Sequence, residues 1–353
     1  MYWEKEKFSS ESESLYTAKK DYDMKNILIT GAAGFIGYHL ARLLCEMPVR
    51  ITVIDNLSRG KSDEDFASLI NKKNVTYIQA DMTDARYLAQ LDGHYDEIYH
   101  LAAINGTKHF YERPQEVLRV NILSLLFLLE WVDSVNCGKF LFTSSSEAYA
   151  GTIRAFPDAE KTLIPTKEEV PLCIDNVFNE RYSYGGSKLV GELLTINYMR
   201  CKKVPFTIVR YHNVYGPRMG FEHVIPEFSR RIFDKEDPFD VFGGEDTRAF
   251  CYITDAVDAT TAVMKSEQCD GQVIHIGNSN EEIVIEELAR KMINISNLNV
   301  PLNIHPTREG SVSRRCPDTS KLSALTGYSP LVSLDEGLHY TMDWYMEYYS
   351  CNE

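Results

Sequence analysis

The chain has 353 residues, 44% hydrophobic and 25% charged, which excludes a largely disordered chain, a collagen-like chain and a coiled coil. The length predicts two or three units, or one large α/β unit with an appended lobe. Lys and Arg number 37 against 51 Asp and Glu, a net charge of -14, so the surface repels nucleic-acid backbones and an anionic ligand needs a local basic pocket.

Residues 1–23 mix acids, bases and aromatics without an apolar h-region, and are read as an N-terminal extension rather than a secretory signal. From Lys25 apolar runs alternate with helical segments. Strands are expected at Asn26–Thr30, Arg50–Asp55, Val75–Gln79, Glu97–Ala102, Lys139–Thr143 and Pro205–Arg210. Helices are expected at Phe35–Met47, Pro114–Ser134 and Tyr184–Met199. This alternation predicts βαβ units and a doubly wound parallel sheet of Rossmann type, with apolar runs covered on both faces. After Tyr215 the pattern loosens around Pro217, Pro226 and Pro238, and late strands are expected at Phe250–Thr254 and Gln272–Ile276. A smaller mixed C-terminal substrate lobe is expected to close over the ligand edge of the sheet. None of the eight cysteines forms a CxxC pair or joins a cluster with zinc-ligand spacing, so they read as thiols in a reducing cytoplasm and no metal is expected. No window approaches the roughly 20 apolar residues of a membrane span.

Gly31, Gly34 and Gly37 follow the first strand and open the first helix. Such glycines permit a tight turn and close approach of backbone to a pyrophosphate, and the helix N-terminus faces that charge. Asp55 ends the second strand, where a carboxylate accepts hydrogen bonds from a ribose 2′-hydroxyl and repels a 2′-phosphate. This favours NAD over NADP, although Arg59 follows closely. Asp81 and Met82 follow the third strand, where an adenine would lie.

Tyr184 and Lys188 stand four apart on one helical face. A phenol near pKa 10 is a poor base at neutral pH, and a nearby ammonium lowers it. Gly185 and Gly186 are costly within a helix, which suggests close packing there. Thr143 to Glu147 lies at the C-terminal end of a strand, the ligand edge of an open α/β sheet. One hydroxyl there, beside the phenol, would orient a substrate hydroxyl for oxidation.

Taken together these residues resemble the extended short-chain dehydrogenase/reductases that act on nucleotide sugars. The resemblance spans about Lys25 to Tyr345. It rests on Gly31, Gly34 and Gly37, on Asp55-Asn56, Asp81-Met82, and His100 to Ala103. Further along it rests on Ser144-Ser145, Tyr184 with Lys188, Arg210 with Asn213 to Arg218, and Thr247 to Phe250. It implies that Tyr184 is the base, that Lys188 lowers its pKa and holds the nicotinamide ribose, and that Ser145 is the hydroxyl partner. Phe35, Ile36, Asn56, Leu101, Ala102 and Ala103 join the glycines, Asp55, Asp81, Met82 and Lys188 as the NAD-binding set. Ser146, Arg181, Asn213, Arg218, Arg248 and Arg315 are the substrate-side set, with Arg314 competing with Arg315 for its role. Arginines suit a diphosphate because the guanidinium bonds two oxygens at once. Residues 24–203, with about 204–216 and 250–277, are expected to form the cofactor domain. Residues 217–249 and 278–353 are expected to form the nucleotide-sugar lobe.

Members of this group oxidise the sugar at C4 and differ in the fate of the keto sugar. Ser145-Ser146-Glu147 resembles the run found in UDP-glucuronate decarboxylases and GDP-mannose dehydratases, and makes Glu147 a candidate second acid/base. Arg181 and the run Arg315 to Asp318 also resemble the decarboxylases. The alternatives are a 4-epimerase or a simple C4 dehydrogenase, and, in a different class, a cofactor-bound regulatory subunit without turnover. The resemblance further implies a homodimer or higher homo-oligomer, while the cytoplasmic location is expected from the thiols.

Overall fold

The computed structural model describes residues 24–60, 62–91, 93–156, 158–307 and 312–352; the extension expected over residues 1–23 lies outside the described residues. Six strands follow in chain order: β1 (Lys25–Thr30), β2 (Val49–Asp55), β3 (Val75–Gln79), β4 (His94–His100), β5 (Asn136–Ser145) and β6 (Phe206–Tyr211). With β7 (Gln272–Ile276) they form one seven-stranded sheet in the order β7-β6-β5-β4-β1-β2-β3. Every pairing in it is parallel. The order reverses between β1 and β4, so a crevice opens at the carboxyl ends of these strands.

Alternation along β1 explains the continuous apolar run. Ile27 and Ile29 join one core cluster with Leu40 and Leu44 of α1 (Phe35–Leu44). Leu28 joins the other, with Leu125, Leu128 and Leu129 of α2 (Pro114–Trp131) and Met199 of α3 (Tyr182–Lys202). Successive side chains point to opposite faces, and both faces are covered by helices.

The main departure from expectation lies at 250–254. Only Cys251–Tyr252 is extended there, paired with Val214–Tyr215 outside the main sheet. Ile253 already begins α4 (Ile253–Lys265), whose first turn carries Asp255. That carboxylate accepts hydrogen bonds from Tyr328 Oη and from the backbone of Leu331 and Val332. This long-range tie is invisible to a local apolar pattern. A three-stranded sheet matters most for the site. Thr247–Ala249 runs between Glu282–Val284 and Arg314–Arg315, and Arg315 is placed beside Arg248 in register.

Candidate active site

A cleft of about 1470 Å³ runs along the carboxyl edge of the sheet, and every residue nominated above for cofactor, catalysis or substrate lines it. Gly31, at φ +77°, turns the chain out of β1 and donates its N–H to Ile54 O at 2.8 Å. A Cβ there would stand 2.7 Å from Ala102 N, so the position demands glycine on both counts. Gly34 caps α1 with no side-chain hydrogen bond and there is no acid in the first turn, so the N–H groups of that turn are left for an anion. Asp55 Oδ2 accepts from Ala33 N at 3.0 Å and Oδ1 from Leu57 N at 2.8 Å. Burial raises the Asp55 pKa against those two N–H bonds. Asp81 Oδ1 is taken up by the N–H and hydroxyl of Thr83, both at 2.8 Å, while Met82 is buried beside it. Glycine loop, helix N-terminus, strand-end carboxylate and apolar strip thus suit a dinucleotide.

Ser145, at the end of β5, lies beside the Tyr184 phenol, and both line the cleft. The Tyr184 ring stacks on Phe110, centroids 4.8 Å apart at 12°. Burial pushes the phenol well above its ordinary value, with Ser145 and Arg59 pulling it back and Glu147 adding to the rise. Lys188 Nζ donates to Thr143 O at 2.7 Å and lies 5.5 Å from the Tyr184 ring centroid. Burial pushes this ammonium down to about 7, opposed by Glu192. Of the glycine pair, only Gly185 answers to close packing: a Cβ would stand 2.7 Å from Glu147 O, whereas Gly186 has ordinary room.

Glu147 is buried and clamped. Arg181 Nε and Nη2 donate to its two oxygens, each at 2.7 Å, and Arg315 Nη1 donates to Oε1 at 2.5 Å. Burial alone would raise this carboxyl, but the charges of Arg315 and Arg181 outweigh it and hold it well below the usual carboxylate range. Arg314, the neighbour that competes with Arg315, instead pairs with Glu282 at 2.7 and 2.9 Å. Arg315 Nη2 is buried without a hydrogen-bond partner. Arg248 Nη1 donates to Thr247 O and Ser313 O, with Asp246 3.4 Å from Nη2. Asn213 Nδ2 donates to Ala249 O. Arg218 lines the cleft, but its guanidinium is engaged elsewhere: it lies 3.9 Å over the Tyr38 ring and 2.6 Å from Asp63.

A sequence profile of the NAD dependent epimerase/dehydratase family matches residues 27–277. The chain belongs to this family. It is 32% identical over 334 residues to the UDP-N-acetyl-alpha-D-glucosaminuronate decarboxylase of Bacillus cytotoxicus, covering 92% of this chain and 98% of that protein. Among solved structures it resembles the UDP-glucose 4-epimerase of Thermotoga maritima, with a TM-score of 0.78, 28% identity and coverage of 92% and 99%. It also resembles the UDP-glucuronic acid 4-epimerase of Bacillus cereus, with a TM-score of 0.76, 28% identity and coverage of 92% and 100%. As a member of the NAD dependent epimerase/dehydratase family, the chain is an NAD-dependent enzyme of the type that modifies nucleotide sugars.

Beyond the family motifs, the fold brings further groups into the cleft. Arg154 Nη2 reaches Asp175 at 2.9 Å and Tyr182 Oη at 3.0 Å, close to Arg181 in the chain, and Arg154 and Asp175 face the pocket. Arg154, Asp175 and Tyr182 belong to none of the motifs named above, so the sequence offered no signal for them. His223 lines the cleft at the start of a helix, and burial pushes it down to about 4, so it is neutral at physiological pH. Among the described residues no helix is long and apolar enough to cross a membrane.

Proposed function

We propose that this enzyme decarboxylates a nucleotide-linked uronic acid after oxidising it at C4. The observation that carries the reading is the clamp in which Arg181 and Arg315 hold the ionised Glu147 carboxylate two residues beyond Ser145. Two guanidiniums face one carboxylate, which leaves a surplus positive charge and an unpartnered Arg315 Nη2 for an anionic sugar substituent.

Bound NAD supplies the reversible hydride acceptor. Ser145 orients the C4 hydroxyl and Tyr184 takes its proton, with the positive charge of Lys188, 5.5 Å from the ring, set against the rise that burial gives the phenol. The C4 ketone then stands β to the C6 carboxylate. Carbon dioxide leaves, the C5–C6 electron pair passes into the ketone as an enolate, and C5 gains a proton from solvent water. Glu147, held as the carboxylate by Arg181 and Arg315, anchors the site in this step and supplies no proton. Tyr184 would give its proton back to the C4 oxygen as the ketone is reduced by the bound cofactor, which closes the cycle. Uronate and one proton become pentose and carbon dioxide.

Asn213, Arg248 and Ser146 are assigned to the nucleotide diphosphate and sugar, Arg248 from the proposed lobe of residues 217–249 and 278–353 and the other two from the cofactor domain. The half-exposed Leu118, Val190 and Leu193 on α2 and α3 support a homodimer that buries this helix pair. A cytoplasmic location fits the eight free thiols.

Incubation with UDP-glucuronate and UDP-N-acetylglucosaminuronate, read by mass spectrometry, tests the reading. Loss of carbon dioxide is expected. Inversion at C4 without mass change would replace it with a 4-epimerase acting on the same class of sugar, the activity named for the Bacillus cereus structure.

A further inference from the structure

Arg210 belongs to the motif that leads to Asn213, yet nothing in the chemistry above uses it. It is buried on β6, and its guanidinium meets Glu192 through two bonds, Nε to Oε1 and Nη2 to Oε2, both 2.8 Å. Glu192 Oε1 also accepts from Ser144 Oγ at 2.6 Å. The third arm of Arg210, Nη1, donates to Glu168 O at 3.0 Å.

Glu192 continues a series. Tyr184, Lys188 and Glu192 follow one another at four-residue steps on α3 and all three are buried, so they share one face of the helix. Lys188 holds Thr143 through its carbonyl, and Glu192 holds Ser144 through its hydroxyl. The two residues before Ser145 are therefore both gripped from the helix that presents Tyr184. A buried ion pair is seldom needed for stability, because apolar residues of similar volume commonly do as well or better. Specifying one arrangement of the surrounding groups is a use that apolar packing does not supply.

We propose that the buried Glu192–Arg210 pair is a positioning device for hydride transfer: through Ser144 it fixes the end of β5 so that Ser145 meets the Tyr184 phenol in register. The same pair steadies a second neighbour. The Arg210 guanidinium lies 6.0 Å over the Tyr149 ring, and Tyr149 Oη is 3.1 Å from His212 Nε2. Misplacing a reacting group by about 1 Å can cost on the order of 100-fold in rate with no loss of fold, which sets the size of the expected effect.

Two variants test this, each read by melting temperature without cofactor, by NAD binding, and by NAD reduction with UDP-glucuronate or UDP-glucose, whichever the parent oxidises. Release of carbon dioxide is not measured, so failure of the decarboxylase reading leaves this test intact. Ser144→Ala cuts only the link from the pair to the strand. The double variant Glu192→Leu with Arg210→Met replaces the pair by apolar side chains. The expected result in both is kcat for NAD reduction lowered by about 10-fold or more, with KM, NAD binding and melting temperature close to the parent's. Parental kcat in a folded double variant overturns the proposal. Should the double variant not fold, Ser144→Ala decides alone, and parental kcat there overturns it equally. A loss of kcat that merely follows weaker NAD binding or a lower melting temperature also counts against a positioning role.

Discussion

Glu147 accepts a 2.5 Å hydrogen bond from Arg315, which lies 168 residues further along the chain. Arg315 sits on a two-residue strand that pairs with Thr247–Arg248, and Glu147 lies two residues beyond the end of β5. The bond therefore joins the small three-stranded sheet to the central one at the point where Ser145 and Tyr184 meet. It also fixes the protonation state of the carboxylate, and the first two predictions follow from that.

Glu147→Gln removes the charge and leaves two buried guanidiniums facing a neutral amide. If Glu147 serves the step after C4 oxidation, mixing the variant with a UDP-uronate builds up reduced cofactor while carbon dioxide release falls by about 10²-fold or more. Absorbance of reduced NAD and product mass are read on the same sample. Turnover equal to the parent's would leave Glu147 with a structural role and favour the epimerase reading.

The same variant carries a pH signature in stability. Breaking a buried pair from one side costs on the order of 3 kcal/mol. The folded-state pKa of Glu147 lies below its unfolded value of about 4.3. Its contribution is therefore complete above that value and lost as pH falls through the folded pKa. The melting-temperature gap between parent and Glu147→Gln should be constant down to about pH 5 and narrow only below about 4. A gap that closes between pH 7 and 5 would mean that the carboxylate is not clamped as described.

Tyr184→Phe keeps the ring stacked on Phe110 and removes only the phenol oxygen. Fold and NAD binding should survive, and C4 oxidation should fall by about 10²–10⁴. Single-turnover measurement with excess enzyme checks this. A loss under tenfold would remove Tyr184 from the role of base.

Lys188→Ala and Asp55→Ala both address the cofactor but at opposite ends of it. The first should weaken NAD retention together with the oxidation rate. The second should raise NADP binding relative to NAD, because the carboxylate that repels a 2′-phosphate is gone. Chromatography of the nucleotide released on denaturation, and titration with each cofactor, give the answer. Release of NADP alone from the parent chain would contradict the part given to Asp55.

Leu193→Asp places a charge on the outer face of α3, where Leu193 is 55% exposed. Light scattering should show a dimer for the parent and a monomer for the variant at micromolar concentration, with secondary structure unchanged. A monomeric parent would refute the proposed assembly.

Much of this protein was legible in one dimension because its signals are local. The glycine turn, the apolar strands β1 to β3 and the four-residue step from Tyr184 to Lys188 depend on backbone sterics, on alternation and on the pitch of one helix. Boundaries shifted where neighbours decide them: β5 runs on to Ser145, and the expected strand at 250–254 gives way to a helix anchored by contacts of Asp255 with residues 328–332. The arginines show the division most clearly. Composition demanded a basic pocket within an acidic chain, and motif order named Arg181, Arg218, Arg248 and Arg315 as its candidates. Their identical chemistry gave no means of sorting them. Only the fold did so, by setting Arg314 on Glu282, Arg218 on Asp63, Arg210 on Glu192, and Arg181 with Arg315 on Glu147. Which carboxylate a guanidinium meets is a matter of long-range geometry, because the partners lie on different strands and helices and come together only when the sheet is assembled.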